Sequence, residues 1–312
     1  MYFPYLRGRQ YELIGVREGI KSGIISDKII PVIEPVKLSS TLLSTMRVAI
    51  EEKNKIAIIC NSNIPSFFDD LESTDNKNLK KEFFELLKSD YIVKSFLVKK
   101  SWIEDIEEYK RMLEFSEEEL MIICNNKNLI NEFEKRYDEQ YPRFVLIPDE
   151  TKFNKRIKNN KILLEDRFEK EERNSDYLKN EDDFFSDDHL EYEENGYIGF
   201  SDYVTMGEKY TDGGFAPYAV AIHITYLNEK SDPIKIHHFV SDSNEDIKDP
   251  AKKFYEAVEK LNKFEFSEFS KTKALDSFLE HYENGSYPGL GIVKKLSLLH
   301  HLELVKNILD KN

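Results

Sequence analysis

Carboxylates, guanidinium groups and ammonium groups recur in this sequence directly after short apolar runs. Arg7, Arg9 and Gln10 follow YFPYL, Glu34 lies in IIPVIEPV, Asn61 and Asn63 follow IAIIC, and Lys99 and Lys100 follow IVKSFLV. Further along, Asn125 and Asn126 follow LMIIC, Asp149 follows RFVLIP, Glu165, Asp166 and Arg167 close KILLE, and Ser201, Asp202 and Tyr203 close YIGFSDY. Hard carboxylate oxygens suit a divalent cation such as magnesium or manganese, so Glu34, Asp166 and Asp202 are candidates both as metal ligands and as acid or base groups. Arg7, Arg9, Lys99, Arg167 and Tyr203 are candidates for holding an anionic substrate by charge-assisted hydrogen bonds. Metal, base and cations together would suit hydrolysis of a phosphoester or nucleotide: the ion activates water and polarises phosphorus, and a carboxylate takes the proton. The same alternation of sign is also what a rim of mutually neutralising ion pairs would show.

For these residues to meet, the runs that precede them must be strands with their ends gathered on one side. Eight runs qualify: 2–6, 29–36, 56–60, 92–98, 120–124, 143–148, 161–165 and 197–203. Most are continuously apolar, as strands covered on both faces should be. Between them the period shifts to that of a helix, as in Leu42, Leu43, Met46, Ala49 and Ile50, or Leu129, Ile130, Phe133 and Tyr137. Ser39 and Ser101 stand where helix caps are needed, the latter with Glu104 placed for a capping box. Strand alternating with helix eight times predicts a (β/α)8 TIM-like barrel over residues 1–203, and barrels of this kind carry their chemistry at the C-terminal ends of the strands. The repeat of Ile58-Ile59-Cys60-Asn61 as Ile122-Ile123-Cys124-Asn125 falls on the third and fifth strands.

After residue 203 the alternation stops. YAVAIHITYL (218–227) and IKIHHFV (234–240) are separated only by a short turn and predict a β-hairpin. Asp249-Pro250 then opens a helix with Phe254, Val258, Leu261 and Phe264 on one face, and a last helix carries Leu296, Leu299, Leu302 and Val305. The region 204–312 therefore reads as a hairpin with helices packed on the barrel, a surface suited to a protein partner. Residues 169–195, rich in Asp, Glu, Lys and Asn, read as a solvated loop with some helix and His189 facing solvent. His237 and His238 fall on opposite strand faces, so one of them can meet His223 as a packed pair; His300 and His301 read as surface or packing residues.

Composition narrows the classes further. The chain has 312 residues, a net charge of −14 and only two cysteines, Cys60 and Cys124, which excludes a disulfide framework or a cysteine-rich zinc site. Its acidity disfavours extended nucleic acid and leaves a small anionic ligand as the electrostatically reasonable guest. No apolar run is long enough for a spanning helix and no signal peptide is evident, so the expectation is a cytoplasmic protein away from membranes. Gly289-Leu290-Gly291 lacks the third glycine of a dinucleotide fingerprint and predicts a turn before a helix, while Asp242, Asn244 and Asp246 lack the glycine and glutamate of a calcium loop.

The opening YFPYLRGRQYE, the IPVIEP segment at 30–35 and GFSDY at 199–203 resemble the beta family proteins of bacteria and phages. The resemblance covers about the first 40 residues and one later stretch. It implies a barrel-like protein of phage defence or mobile elements, in which Arg7, Arg9, Glu12, Glu34 and Asp202 are positions of interest. It implies no particular reaction, so a metal-assisted hydrolase and a non-catalytic binding or sensor module both remain open.

Overall fold

The computed structural model of the chain describes residues 1–138, 140–211, 217–229 and 231–310. Lys230, in the turn of the expected hairpin, lies outside them. The chain forms two compact units, one of Met1–Glu165 with Glu191–Asp202 and one of Asp166–Leu190 with Tyr203–Asn312. Residues 166–190 group with the C-terminal part.

The first unit is a nearly closed barrel of parallel strands flanked by helices, the TIM-like arrangement. In chain order it contains β1 (Tyr5–Leu6), α1 (Gln10–Lys21), β2 (Val32–Ile33), α2 (Ser40–Glu51), β3 (Ile56–Ile59), α3 (Pro65–Glu72) and α4 (Lys77–Leu87). These are followed by β4 (Ile92–Leu97), α5 (Trp102–Leu113), β5 (Met121–Ile123), α6 (Ile130–Arg136), β6 (Phe144–Ile147), α7 (Thr151–Arg156) and β7 (Lys161–Glu165). The chain then makes β8 (Asp182–Ser186) and α8 (Asp188–Glu191) before the last barrel strand, β9 (Gly199–Asp202). Each neighbour in the order β1 to β7 and then β9 pairs in parallel. The two ends of the sheet meet through a parallel bridge between Tyr2 and Phe200, with the Phe3 N–H donating to Phe200 O at 2.9 Å and the Phe200 N–H to Met1 O at 3.1 Å. All eight apolar runs therefore contribute a barrel strand.

Register decides which side chains face the lumen. Tyr5 pairs with Val32, Val32 with Ala57, Ala57 with Val93, Ser95 with Met121, Met121 with Phe144, Leu146 with Ile162, and Ile162 with Gly199. Alternation makes these one face of the sheet. That face is the interior, because the Phe3 ring, two residues before Tyr5, meets Phe144 at 5.0 Å although two strands separate β1 from β6 around the barrel. The other face meets the outer layer: Phe96 packs on Tyr109 of α5 at 5.6 Å, and Phe200 on Tyr192, the residue after α8, at 5.3 Å. Gly199 lies on the inner face at the seam, where a Cβ would come within 2.7 Å of Met1 O and 2.8 Å of the Phe3 ring. No larger residue fits while the seam stays closed.

Ser39 caps α2 by accepting from the Leu42 N–H at 3.2 Å, as expected. Ser101 does not cap α5: its backbone is left-handed at φ 64°, which turns its side chain away from the first-turn N–H groups.

The second unit holds a three-stranded antiparallel sheet in the order β10 (Ala221–Tyr226), β11 (Ile234–Val240), β8. With it go α9 (Pro250–Lys263), α10 (Lys273–Glu283) and α11 (Leu290–Asp310). Asp249 caps α9 from the Lys252 N–H at 3.0 Å with Pro250 in the first turn, and Gly289 at φ +89° turns the chain into α11. The acidic stretch corrects one expectation. Asp182 to Ser186 is a strand, held by β11, and His189 is buried instead of facing solvent. The strand escapes notice because Asp-Asp-Phe-Phe-Ser has acidic residues where a strand pattern wants β-branched ones. His300 and His301 are packing residues with 0% exposure: His300 bridges Thr272 Oγ1 (2.7 Å) and Thr225 O (2.6 Å), and His301 meets Thr225 Oγ1 at 2.9 Å.

Candidate functional site

Glu34 follows β2 and has the inward parity of Val32, so its carboxylate enters the lumen at the C-terminal ends of the strands. Its backbone extends the ladder, the Glu34 N–H donating to Leu6 O at 2.8 Å. Tyr5 and Arg7 share the same parity on β1 and its extension, which brings both side chains to Glu34. The Tyr5 hydroxyl donates to Glu34 Oε2 at 2.9 Å and the Arg7 guanidinium forms an ion pair with the same oxygen. Glu34 Oε1 accepts from the Asn63 N–H at 2.8 Å and from the Ser62 hydroxyl at 3.4 Å. Glu34 is fully buried, and four groups from two neighbouring strand ends occupy its two oxygens.

Gly8 makes this approach possible. It adopts φ +61°, and a Cβ there would stand 3.0 Å from Glu34 O and 3.3 Å from Pro35 Cα. Arg9 follows as the residue before α1; its backbone N–H donates to Glu12 Oε2 at 3.2 Å. Burial pushes the Glu12 carboxyl above its ordinary range, and the Arg9 charge opposes that shift.

Lys99 leaves the end of β4 on the inward parity of Leu97, half-buried. Its Nζ donates to Ser62 O at 2.9 Å and lies 5.1 Å from the Phe68 ring centroid. Burial lowers its pKa from the usual lysine value, while Asp105 and Glu34 pull it back up. Asn61 is spent structurally: its amide donates to Leu97 O (3.1 Å) and Asp105 Oδ2 (2.9 Å) and accepts from the Leu97 N–H (2.8 Å), tying β3 to β4 and α5.

Asp202 ends β9 on the parity of Phe200, the outward-facing set, and its Oδ1 accepts from the Tyr2 hydroxyl at 2.8 Å. Its ladder neighbour Glu165 shares that parity and accepts from the Asp149 N–H at 2.8 Å. Asp149 also accepts from Tyr197 and Asn154, both at 2.8 Å. Asn125 is exposed. Asp166, Arg167 and Tyr203 belong to the second unit. There Asp166 accepts from the N–H groups of Phe168 (3.3 Å) and Glu208 (2.8 Å), Arg167 grips Asp188 through two nitrogens (2.9 and 2.5 Å), and the Tyr203 hydroxyl meets Glu208 at 3.5 Å.

The structure thus brings Glu34, Arg7 and Lys99 to one place and sets Asp202 on the other face of its strand. Among the described residues no group of three or more His, Cys, Asp or Glu side chains is arranged to hold a metal ion. Tyr5 and Ser62, which complete the surroundings of Glu34, escape a search for residues charged at neutral pH; the Tyr-x-Arg spacing of β1 carries the signal, since both must share a face.

In the second unit His223 and His238 are cross-strand partners with Nδ1 atoms 2.7 Å apart, so one ring donates and the other accepts. Phe168 and Tyr177 pack against both rings, and burial pushes His238 down to about 4 and His223 well below its ordinary value. Burial likewise pushes the Cys60 and Cys124 thiols up to about 12, so neither is a ready nucleophile at neutral pH.

The fold and these strand-end residues define an α/β barrel with Arg7 and Lys99 beside a buried glutamate. A comparison with family models finds no match, and comparisons with curated proteins and with solved structures find none either. No helix among the described residues is long and apolar enough to cross a membrane.

Proposed function

We propose that the barrel binds a small anionic ligand at the C-terminal ends of β1 to β4 and acts as a binding or sensor module. The observation that carries this reading is the state of Glu34: a carboxylate whose oxygens already accept from Tyr5, Arg7, Ser62 and Asn63 is a poor ligand for a metal ion and a poor base. The cations beside it, Arg7 and Lys99, with Arg9 two residues beyond Arg7 in the chain, follow the C-terminal ends of strands, where barrels of this kind receive ligands. The sequence resemblance to beta family proteins supports placing such a module in phage–host conflict, with the hairpin and helices of the second unit as a partner surface.

The test is equilibrium binding of inorganic phosphate, nucleoside monophosphates and dicarboxylates, at two salt concentrations, with and without magnesium or manganese. The expected result is metal-independent binding that weakens with salt and falls about tenfold or more in Lys99→Met, since one charge-assisted hydrogen bond contributes ~1.5–3 kcal/mol. Metal-dependent turnover of a phosphoester, lost in Asp202→Asn, would overturn the proposal and favour a hydrolase using Glu34, Asp166 and Asp202.

A further inference from the structure

We propose that Lys99 is a reactive amine that forms a reversible imine with a small carbonyl compound bearing a carboxylate or phosphate. The inference deepens the anion-binding reading above, resting on it for the ligand's charge and on Lys99 for its carbonyl.

A lysine that attacks carbonyl carbon must stand where ligands arrive, be free to lose its proton, and be held in place as it does so. Three lysines among the described residues have their ammonium groups pulled below the ordinary value chiefly by burial: Lys55, Lys99 and Lys161. Lys55 immediately precedes β3 and Lys161 begins β7, both at the N-terminal ends of their strands. Lys99 alone follows the C-terminal end of a strand, on the inward parity. Lys94 is also buried, but it has the parity of Phe96 and its Nζ meets Ser89 O at 3.5 Å, ahead of β4.

The partners of Lys99 are of the right kind. Its Nζ is anchored by the Ser62 carbonyl, an acceptor that an ammonium and a neutral amine can both satisfy, so deprotonation does not release the side chain. Among the described residues no carboxylate lies within 4.0 Å of it to fix it as an ion pair. Two carboxylates act on it from further away: Asp105, which accepts from the Asn61 amide at 2.9 Å, and Glu34, which is engaged by Arg7 and by the Tyr5 hydroxyl. Arg7 is then a positioning residue. By neutralising Glu34 it limits the carboxylate's hold on the Lys99 proton.

The chemistry balances without further reagents. Lys99 gives its proton to solvent, its lone pair forms the C–N bond, and the carbonyl oxygen takes up a proton. The carbinolamine then loses one water to give the C=N bond, and hydrolysis reverses every step.

The full-length protein is incubated with glyoxylate, pyruvate or pyridoxal 5′-phosphate, each with borohydride to reduce any imine, and lysine labelling is mapped by peptide mass spectrometry. A parallel incubation uses a neutral aldehyde, propanal. The proposal expects Lys99 to be labelled at least about tenfold above the average lysine, preferentially by the anionic probes, with inorganic phosphate protecting it. Its labelling rate should level off at lower pH than that of the remaining lysines. Labelling spread over lysines by exposure alone, with phosphate binding intact, would overturn the imine proposal and leave the anion-binding reading standing. Equal labelling of Lys99 by propanal, without phosphate protection, would refute the anionic ligand class and with it the anion-binding reading.

Discussion

Replacing Glu34 by Gln keeps the side chain's size and removes its charge, so the effect isolates electrostatics from packing. In the native barrel Glu34 Oε2 accepts from Tyr5 at 2.9 Å and from Arg7, and Oε1 accepts from the Asn63 N–H at 2.8 Å. Glutamine offers one oxygen. If its amide nitrogen faces Arg7, two donors oppose each other beside an unbalanced guanidinium; if it faces Asn63, a backbone N–H is orphaned. Breaking a buried ion pair from one side costs about 3–5 kcal/mol, and the low end applies because the Arg7 side chain keeps 15% of its exposure. At roughly 2–4 °C per kcal/mol for a domain of this size, the melting temperature should fall by about 6–12 °C. Thermal and urea unfolding followed by circular dichroism measure this, and a cycle with Arg7→Met supplies the pairwise part. The double variant should lose less than the sum of the singles by about 2 kcal/mol. A Glu34→Gln protein that melts within a degree or two of wild type would refute the idea that this network holds β1 to β2 and β3.

Two further outcomes follow from the same geometry. His238 and His300 are held near 4 by burial, against an ordinary value of 6.5. Between those values the unfolded chain binds protons that the folded one does not, so stability is complete above about pH 6.5 and falls as pH drops toward 4. Each histidine contributes a slope of at most about 1.4 kcal/mol per pH unit. Urea midpoints measured from pH 7.5 to 4.5 should show the decline, and His300→Gln should flatten it; a level profile between pH 6.5 and 5 would contradict the buried neutral assignment. At the barrel seam, Gly199→Ala should destabilise by about 1–3 kcal/mol, since its methyl has no room beside Met1 O and the Phe3 ring. Hydrogen exchange should quicken at Phe3 and Phe200, whose N–H groups close the seam, and unchanged protection there would count against the packing account.

The barrel strands are legible because burial on both faces writes itself as continuous apolar runs such as IAIIC and LMIIC. The alternation also fixes that Tyr5, Arg7 and Glu34 meet, once the register of β1 with β2 is known. What the sequence hides is parity at the far end of the barrel. Asp202 looks equivalent to Glu34 as a strand-end acid, yet one residue of offset turns it to the outer face and to Tyr2. Likewise β8 is invisible because its pairing with β11, distant in the chain, supplies the stability its own residues lack. The left-handed Ser101 shows the same limit locally: a serine three residues before a glutamate permits a capping box and does not ensure one.

The insertion of residues 166–190 between the last two barrel strands makes the two units topologically interdependent. A fragment ending at 203 would contain all the barrel strands but also Asp182–Ser186 with no hairpin to join, leaving an orphan edge open to aggregation. A fragment beginning at 204 would fold its hairpin with one flank of the sheet missing. An exchange of the C-terminal part that keeps its three-stranded sheet whole must therefore carry this internal stretch with it.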